Sequence, residues 1–439
     1  MDAARIRVMV VDDSAVIRKI VTSTLLKEED IEVVGTAASG REAISRFKEL
    51  KPDVITLDVE MPDMTGIEAI PHIRQIDARV PIIMFSTLTE SGGKATLDAL
   101  SAGATDYVTK PSSSTSVEAS KEIIASSLAS KIRALGQKRR RAVGAGSAYS
   151  GSPATHRPGT TPTSPSSRFA APGNGSPKAP ATAFARPVVG EAKVSGDQGE
   201  NIRFRPTNHR PPSLILIGIS TGGPNALGEL LPALPANLPV PILIVQHMPA
   251  TFTRLLAERL DAKSKLKVME AKGGEVPKPG EVYIAPGEHH LILSSNHRSE
   301  LAIALDDSPP VNSCRPSVDT LFHSATRLGN RVMAIVMTGM GQDGYVGARA
   351  LKAAGAEIVA QDEASSVVWG MPGYVTNAGL AEQVLPLNQI AQYIVRRCST
   401  SGSSDRSLTI PSPNAHASAA STATTSRSTT SEIGGRRWH

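Results

Sequence analysis

Two long stretches of the chain alternate strand-like runs with amphipathic segments, and this alternation constrains the fold more than any other feature. In the first stretch the strand-like runs are Ile6–Val11, Ile31–Ala37, Val54–Leu57, Val80–Phe85 and Asp106–Thr109. Helical periodicity marks the segments between them, and Glu118–Leu135 supplies a last helix. Strands that alternate with helices over short connections predict an α/β fold with a parallel, doubly wound sheet.

The second stretch repeats this pattern. Its strand-like runs are Leu214–Ile217, Pro241–Val245, Glu281–Ile284, Leu301–Leu305, Val332–Met337 and Ile358–Ala360. Its helical segments are Asn225–Leu231, Thr251–Leu260, Ser317–Leu328 and Tyr345–Ala354. We expect a second, Rossmann-like α/β domain with a mainly parallel sheet, to which a hairpin around Gly287–His290 adds antiparallel strands.

Two segments rich in Ser, Pro, Gly, Ala and Thr divide the chain. Such a composition buries too little apolar surface to offset chain entropy, so we expect both segments to be disordered. The predicted organisation is a first domain at residues 1–140, a linker at 141–210, a second domain at 211–398 and a tail at 399–439.

The net charge of +6 arises mainly around the linker, since residues 138–210 contain 12 Lys/Arg and 3 Asp/Glu. No nucleic-acid-binding motif accompanies this charge, so we do not expect nucleic acid as a partner. Two cysteines cannot form a disulfide framework, which favours a reducing compartment. Without a signal-peptide pattern or an apolar run of about 18 residues, we expect a cytoplasmic protein with no membrane insertion.

Five polar residues follow the predicted strands of the first domain, and they are Asp12, Asp13, Asp58, Ser86 and Lys110. The carboxyl ends of parallel strands meet at one edge of a sheet, so these side chains should lie together. Carboxylates crowded in one cleft need a cation, and oxygen ligands suit Mg²⁺. A metal-held carboxylate can attack phosphorus and become an aspartyl phosphate while a lysine clamps the transferred charge. For a single aspartate, a turn or helix-cap role is the alternative.

The motifs VVDDS, DVEMPDMTG, FST and VTKP together resemble two-component response-regulator receiver domains, over residues 5 to about 135. The resemblance implies a flavodoxin-like fold and a histidine kinase as phosphodonor. It assigns Asp58 as the phosphoacceptor, Asp12, Asp13 and Asp58 as the ligands of Mg²⁺, Ser86 as the switch hydroxyl and Lys110 as the phosphate-sensing lysine. Tyr107 falls where the family has an aromatic switch, and a half-buried strand tyrosine is the alternative.

The first strand of the second domain leads into the turn GISTGGP at residues 218–224. This turn matches the G-x-S-x-G pattern of a nucleophile elbow, with Ser220 as the nucleophile. A phosphate cradle for a nucleotide is the alternative, although neither G-x-G-x-x-G nor a Walker lysine is present. The turn alone does not decide between catalysis and ligand binding.

Two other strand ends favour catalysis, because His247 follows one of them and Asp343 follows another. A serine hydroxyl is a weak nucleophile until a base removes its proton. His247 would be that base, and Asp343 would fix its tautomer and stabilise the imidazolium. A hydrogen-bonded structural histidine and a turn-forming aspartate are the alternatives for the single residues.

The motifs GISTGGP, QHMP, RPSVD and TGMGQDG resemble the catalytic domain of the chemotaxis protein-glutamate methylesterases, the CheB family, over about residues 211 to 397. The resemblance assigns Ser220, His247 and Asp343 as nucleophile, base and orienting acid. It places the oxyanion hole at the backbone amides of Thr221 and Met340. The order Ser, His, Asp along the chain differs from that of α/β-hydrolases.

Two other features of the second domain receive no catalytic role. The RPSVD motif at residues 315–319 is interpreted as a helix N-terminus that lines the cleft. His289 and His290 are interpreted as surface residues rather than metal ligands, because adjacent strand residues face opposite ways.

The resemblance implies a carboxylic ester hydrolase that removes methyl groups from γ-glutamyl esters on the cytoplasmic helices of methyl-accepting chemoreceptors, without a cofactor for the esterase. Deamidation of selected glutamines passes through an equivalent intermediate. Phosphorylation of Asp58 would activate the enzyme if the receiver covers the cleft at Ser220. A deamidase or esterase acting on a non-receptor protein in a chemosensory-like pathway is one alternative. A non-catalytic binding module switched by phosphorylation is another.

Overall fold

A computed structural model describes the parts of the chain that carry the two predicted domains. The described residues are 5–111, 116–147, 204, 207–298 and 300–399. Most of the predicted disordered linker, and the predicted tail from residue 400 onwards, lie outside them. No helix in these described segments is long and apolar enough to cross a membrane.

The first domain contains a five-stranded parallel sheet in the order β2-β1-β3-β4-β5. Its strands are β1 (Ile6–Val11), β2 (Ile31–Ala37), β3 (Val54–Asp58), β4 (Ile82–Ser86) and β5 (Asp106–Thr109). The central strands β3 and β4 are buried along their whole length, as expected for a parallel sheet covered on both faces.

Six helices accompany this sheet. They are α1 (Ala15–Leu25), α2 (Gly40–Leu50), α3 (Gly66–Ile76), α4 (Glu90–Ser101), α5 (Val117–Ile123) and α6 (Ala129–Ser147), with a π-helical segment at Ile124–Leu128 between the last two. A hydroxyl side chain caps the first turn of each helix from α1 to α5. At α3, Thr65 and Glu68 form a reciprocal capping box, which fixes the start of the helix at Gly66, the last residue of the DMTG segment.

The second domain contains a seven-stranded parallel sheet in the order β14-β13-β12-β6-β7-β9-β8. Its strands are β6 (Leu214–Ile219), β7 (Ile242–Gln246), β8 (Lys267–Glu270), β9 (Glu281–Ile284), β12 (Val332–Val336), β13 (Glu357–Gln361) and β14 (Gln383–Leu385). Both domains are therefore doubly wound α/β folds with parallel sheets, which confirms the predicted fold class.

Six α-helices belong to the second domain. They are α7 (Gly223–Leu230), α8 (Ala250–Lys263), α9 (Val318–Ser324), α10 (Tyr345–Ala353), α11 (Met371–Asn377) and α12 (Leu387–Ser399), with 3₁₀ segments at Leu231–Ala233 and Thr326–Arg331. The helix predicted over Ser317–Leu328 is thus an α-helix followed by a 3₁₀ segment. Side chains of α9, α10 and α11 pack on β12 and β13 in one continuous apolar core.

An antiparallel hairpin is present, but its turn is not where the sequence predicts it. The paired strands are β10 (His290–Ser295) and β11 (Leu301–Asp306), so the turn follows Ser295 and does not lie at Gly287–His290. The glycine at 287 has a different role, because a Cβ there would lie 2.2 Å from the backbone nitrogen of Ala250. Gly287 therefore marks a close approach of two chain segments.

Candidate functional site

Asp12, Asp58 and Lys110 lie together at the carboxyl edge of the first sheet. Lys110 Nζ is 2.8 Å from Asp12 Oδ2 and 2.7 Å from Asp58 Oδ2. Asp13 is exposed at the same edge, and the three carboxylates offer oxygen atoms that all lie within 4.8 Å of one another. A Cβ at position 66 would lie 1.9 Å from the carbonyl oxygen of Asp58, so Gly66 allows α3 to start beside the cluster.

The environment of Asp58 suits a small cation. A cleft of about 170 Å³ opens over Asp58 and Lys110. Burial is the main cause that raises the pKa of Asp58 to about 6; the charge of Asp12 adds to it and Lys110 opposes it. A divalent ion held by oxygen ligands would relieve this repulsion, so the donor set fits Mg²⁺.

Ser86 lines the cleft of this cluster, and Tyr107 contacts the second domain. The Ser86 hydroxyl donates to the carbonyl oxygen of Gly92 at 3.1 Å, which joins the end of β4 to the first turn of α4. The ring of Tyr107 is buried and stacks on Phe252 of α8, with centroids 4.9 Å apart and planes 6° from parallel. Tyr107 is therefore an interdomain contact, which the sequence could not indicate.

In the second domain, Ser220 occupies a tight turn between β6 and α7. Its N–H donates to the carbonyl oxygen of Thr338 at 2.9 Å, and Gln246 Nε2 donates to its carbonyl oxygen at 3.0 Å. A Cβ at position 223 would lie 1.8 Å from Gln246 Oε1. Gly222 has a φ of +76°, a conformation that favours glycine. The GISTGGP turn therefore needs its glycines to keep Ser220 in place.

His247 lies beside Ser220 and pairs with Asp343. The parallel register of β6 and β7 aligns Ile219 with Gln246, so the next residues of both strands are neighbours. His247 Nε2 is 2.8 Å from Asp343 Oδ2. The structure thus brings the predicted base and orienting acid together next to the predicted nucleophile.

Asp343 is buried in a set of hydrogen-bond donors. Backbone N–H groups of residues 318, 319 and 344, the Ser317 hydroxyl and the Asn312 amide all donate to its carboxylate at 2.7–3.1 Å. Burial by itself raises the pKa of Asp343, but the hydrogen bond and charge of His247, with the N–H donors, lower that pKa to about 2. The carboxylate is held ionised and cannot rotate freely.

The second ring nitrogen of His247 faces a cysteine. His247 Nδ1 lies 3.7 Å from Cys314 Sγ, and no hydrogen bond joins Ser220 Oγ to His247 in the described part of the chain. Burial lowers the pKa of His247, but the hydrogen bonds with Asp343 and Cys314 outweigh it and raise that pKa to about 9. Nδ1 is the nitrogen left for a proton from Ser220, because Nε2 is engaged by Asp343.

Two backbone amides near Ser220 are available as donors. Within the described segments, the N–H groups of Thr221 and Met340 donate to no acceptor of the protein. A Cβ at position 339 would lie 2.9 Å from Ser220 Cβ, so Gly339 lets the Met340 turn approach the serine. Free N–H groups of this kind can stabilise a developing oxyanion.

Sequence reasoning missed Asn312 and Cys314, and it placed Ser317 and Asp319 on a helix N-terminus that lines the cleft without giving them a role. Asp319 accepts a hydrogen bond from Asn312 Nδ2 at 2.8 Å and thereby holds Asn312 where it donates to Asp343. Ser317 caps α9 and also donates to Asp343. The available signal was the RPSVD motif itself, since a Ser before an apolar helical run marks a helix N-terminus.

The interpretation of His290 as a surface residue is wrong. His290 is 0% exposed, accepts from the Ser317 N–H through Nδ1 at 3.1 Å and approaches the Pro309 carbonyl oxygen through Nε2 at 3.2 Å. His289 is partly exposed and bonds to Asp307. Alternation along a strand turns one of two adjacent side chains inward, and His290 is that one.

The two domains belong to one compact unit and share a polar and apolar interface. On one side, α4 packs against α7 and α8, the two helices that begin just after Ser220 and His247. The polar contacts there are Arg259 to Asp98 at 2.6 Å, Arg259 to Ser101 at 2.6 Å, Arg254 to Glu90 at 3.4 Å and Asn225 to the Ala104 carbonyl oxygen at 3.0 Å. The first domain makes this contact through its α4–β5 face.

A second contact lies on the other side of the serine turn. Lys138 Nζ of α6 donates to the carbonyl oxygens of Glu363 and Ser366. Val367 packs against the core of the first domain, and a Cβ at Gly222 would lie 2.5 Å from its Cβ. The segment that touches α6 therefore also touches the turn that holds Ser220.

Comparison with known proteins finds a match for each of the two domains. A CheB methylesterase family model matches residues 215–394, and a response regulator receiver domain model matches residues 8–120. A protein-glutamate methylesterase/protein-glutamine glutaminase of a Nocardioides species is 46% identical over 89% of this chain and 95% of its own length. One of Trichodesmium erythraeum is 41% identical over 90% of this chain and 99% of its own length.

Two solved structures are also similar. The CheB methylesterase catalytic domain of Thermotoga maritima is 43% identical, with 42% of this chain and 98% of that chain covered and a TM-score of 0.41. The response regulator domain of Thermotoga maritima CheB is 46% identical, with 29% and 94% covered and a TM-score of 0.27.

The fold and the matched segments define a response regulator whose effector domain is a hydrolase. The chain belongs to the CheB methylesterase family. This confirms the predicted family. It also confirms the predictions that the chain is a carboxylic ester hydrolase with deamidase activity and a chemotaxis response regulator.

Proposed function

We propose that this chain hydrolyses γ-glutamyl methyl esters on the cytoplasmic helices of methyl-accepting chemoreceptors, and deamidates selected glutamines there. The observation that carries the proposal is the His247–Asp343 pair beside Ser220, in which Asp343 is buried. The names of the relatives, which are protein-glutamate methylesterases and glutaminases, support the substrate class. This substrate places the enzyme in the cytoplasm, and the esterase needs no cofactor.

In the proposed reaction, Ser220 Oγ attacks the ester carbonyl carbon and gives its proton to His247 Nδ1. The oxyanion accepts hydrogen bonds from the N–H groups of Thr221 and Met340. The proton then passes from His247 to the departing methanol, and a water molecule repeats the sequence to release glutamate and restore the serine. With a glutamine substrate, ammonia departs in place of methanol.

Asp343 contributes orientation and charge. Its carboxylate holds His247 with Nε2–H towards itself, so that Nδ1 keeps its lone pair for the serine proton. Because six hydrogen bonds fix the carboxylate, the ring needs no reorganisation when it becomes an imidazolium.

Phosphorylation would occur at Asp58, with a histidine kinase as donor. Asp12, Asp13 and Asp58 would hold Mg²⁺, which would neutralise charge on the transferring phosphoryl group. Lys110 lies within hydrogen-bond distance of Asp58 and would bind the phosphoryl oxygens afterwards. Ser86 would exchange its hydrogen bond with Gly92 for one with the new phosphoryl group.

This exchange suggests how phosphorylation reaches the esterase. Gly92 lies next to Gly93, where a Cβ would lie 2.7 Å from Leu255 of α8, so the Ser86–Gly92 bond is close to the α4–α8 contact. A shift of α4 would loosen the α4–α8 contact and the Tyr107–Phe252 stack. We propose that the receiver, residues 1–140, restricts the cleft of the catalytic domain, residues 211–398, until phosphorylation releases it, with residues 141–210 as the linker.

The test uses the full chain and a methylated receptor peptide together with its amidated counterpart. We expect methanol and ammonia release that both disappear in Ser220→Ala, and stimulation by a small-molecule phosphodonor that disappears in Asp58→Asn. Ammonia without methanol from any receptor peptide would favour a deamidase for a non-receptor protein. Signalling output that survives in Ser220→Ala would favour the non-catalytic binding module.

A further inference from the structure

We propose that Cys314 and His247 form a binding site for a thiophilic divalent metal ion, of which Zn²⁺ is the natural candidate, and that occupancy of this site inhibits the esterase. The inhibition rests on the proposed function, whereas the metal site itself does not. The site lies within the catalytic cleft and is separate from the carboxylate cluster of the receiver domain, which offers only oxygen ligands.

The spacing of the two ligand atoms is the first argument. His247 Nδ1 and Cys314 Sγ are 3.7 Å apart. Zinc bonds of about 2.0–2.1 Å to nitrogen and about 2.3 Å to sulfur, at a tetrahedral angle, place these two atoms about 3.6 Å apart. An ion can therefore bridge them with little movement of either side chain.

The orientation of His247 is the second argument. Asp343 Oδ2 accepts from Nε2, so the proton of the neutral ring is on Nε2 and the lone pair is on Nδ1, directed at the sulfur. A carboxylate behind a histidine is the usual second partner of a metal-bound imidazole, since it fixes the tautomer and raises ligand basicity. Asp343 serves as this partner rather than as a ligand, because protein donors already occupy both of its oxygens.

The backbone around Cys314 is the third argument. Val311 and Cys314 exchange two backbone hydrogen bonds at 2.9 and 3.1 Å, and both residues between them have positive φ, as in a two-residue hairpin turn. Asn312, in that turn, donates to Asp343 and Asp319. The thiol is therefore held by the same network that holds the imidazole, and little entropy remains to be lost on binding.

The chemistry of the pair also suits a metal ion. Cys314 is a free thiol, partly exposed, so an ion can reach it from the cleft. Imidazole nitrogen and thiolate sulfur are the ligands that Zn²⁺ prefers, and two further positions would stay open to water. An ion on Nδ1 would occupy the lone pair that Ser220 needs for its proton, so binding and turnover exclude one another.

The test measures metal binding and ester turnover on the full unphosphorylated chain in excess Mg²⁺, which saturates the receiver cluster. The variants are Cys314→Ser and, as a matched control, Cys398→Ala, which alters the other, buried cysteine of the described chain. We expect Co²⁺ to give a thiolate-to-cobalt charge-transfer absorption in the wild type and in Cys398→Ala, and none in Cys314→Ser.

Inhibition is scored within each variant as turnover with Zn²⁺ relative to turnover with chelator, so that differences in basal rate cancel. Loss of one of two protein ligands should raise the half-inhibiting Zn²⁺ concentration at least tenfold in Cys314→Ser, and not in Cys398→Ala. No charge-transfer band in the wild type, or equal inhibition of all three proteins, would overturn the proposal. Absence of turnover in the chelated wild type would contradict the proposed function and leave the cobalt result valid.

Discussion

Reversing the charge of Arg259 tests whether the receiver restricts the catalytic cleft. Arg259 bonds to Asp98 and Ser101 of α4 at 2.6 Å, with side chains 25% exposed for Arg259 and 59% exposed for Asp98. An ion pair this exposed contributes about 0.2–1 kcal/mol. Arg259→Glu removes it and adds a repulsion of similar size, so the docked arrangement should lose about 0.4–2 kcal/mol, a factor of roughly 2–30 in its equilibrium.

The assay is methanol release by the full chain without a phosphodonor. We expect Arg259→Glu to raise basal turnover by roughly that factor, up to the level of the phosphorylated protein, and high salt to reduce the difference between variant and wild type. Arg298→Glu, in the turn of the β10–β11 hairpin, is the matched charge-reversal control. Adding Asp98→Arg to Arg259→Glu should restore low basal turnover.

The reasoning is refuted if Arg259→Glu is no faster than Arg298→Glu, or if the Asp98→Arg combination stays fast. The first result would mean that the α4–α8 contact does not limit turnover. The second would mean that the substitution acts inside α8 and not across the interface.

Three further predictions concern the catalytic domain. The pKa of His247 is raised to about 9, so the fraction of His247 in its neutral, basic form increases as pH rises. We therefore expect kcat/KM to increase about tenfold per pH unit towards pH 9. A plateau of kcat/KM already at pH 7 would contradict this prediction. Asp343→Asn should lower kcat by roughly 10³–10⁴, measured by methanol release, and a loss below tenfold would exclude the orienting role. Gly223→Ala should lower the free energy of unfolding of the domain by about 1–3 kcal/mol in denaturant titrations, since the added Cβ would clash with Gln246. Unchanged stability would show that the turn can shift to accommodate the Cβ.

The bounds of the strands were predicted most accurately where an apolar run ends in a polar or glycine-containing turn. The strands Ile6–Val11, Ile31–Ala37 and Asp106–Thr109 have the bounds that the structure shows, because polar or glycine-containing turns follow each run. The edge strands Lys267–Glu270 and Gln383–Leu385 were missed, because short strands with charged or polar residues carry little apolar signal.

Within the site, the strand ends were predictable and the cross-chain contacts were not. Ser220, His247 and Asp343 follow buried strands, and parallel strands meet at one edge. Cys314 follows no strand of the parallel sheet, and it lies beside His247 because Asn312 of its turn donates to the Asp343 carboxylate. No periodicity or motif records a contact of this kind between residues 67 positions apart.

The position of β6 in its sheet has a consequence for local opening. β6 is the middle strand of seven, and β12 and β7 flank it, so the three candidate catalytic residues follow the three innermost strands. Fraying of β14 or β8 breaks the hydrogen bonds to one neighbouring strand only. Such partial openings cost less free energy than opening the central strands of the sheet. The cleft geometry therefore belongs to the most protected cooperative unit of the domain. The edge strands can fluctuate or accept sequence changes without displacing the candidate catalytic residues.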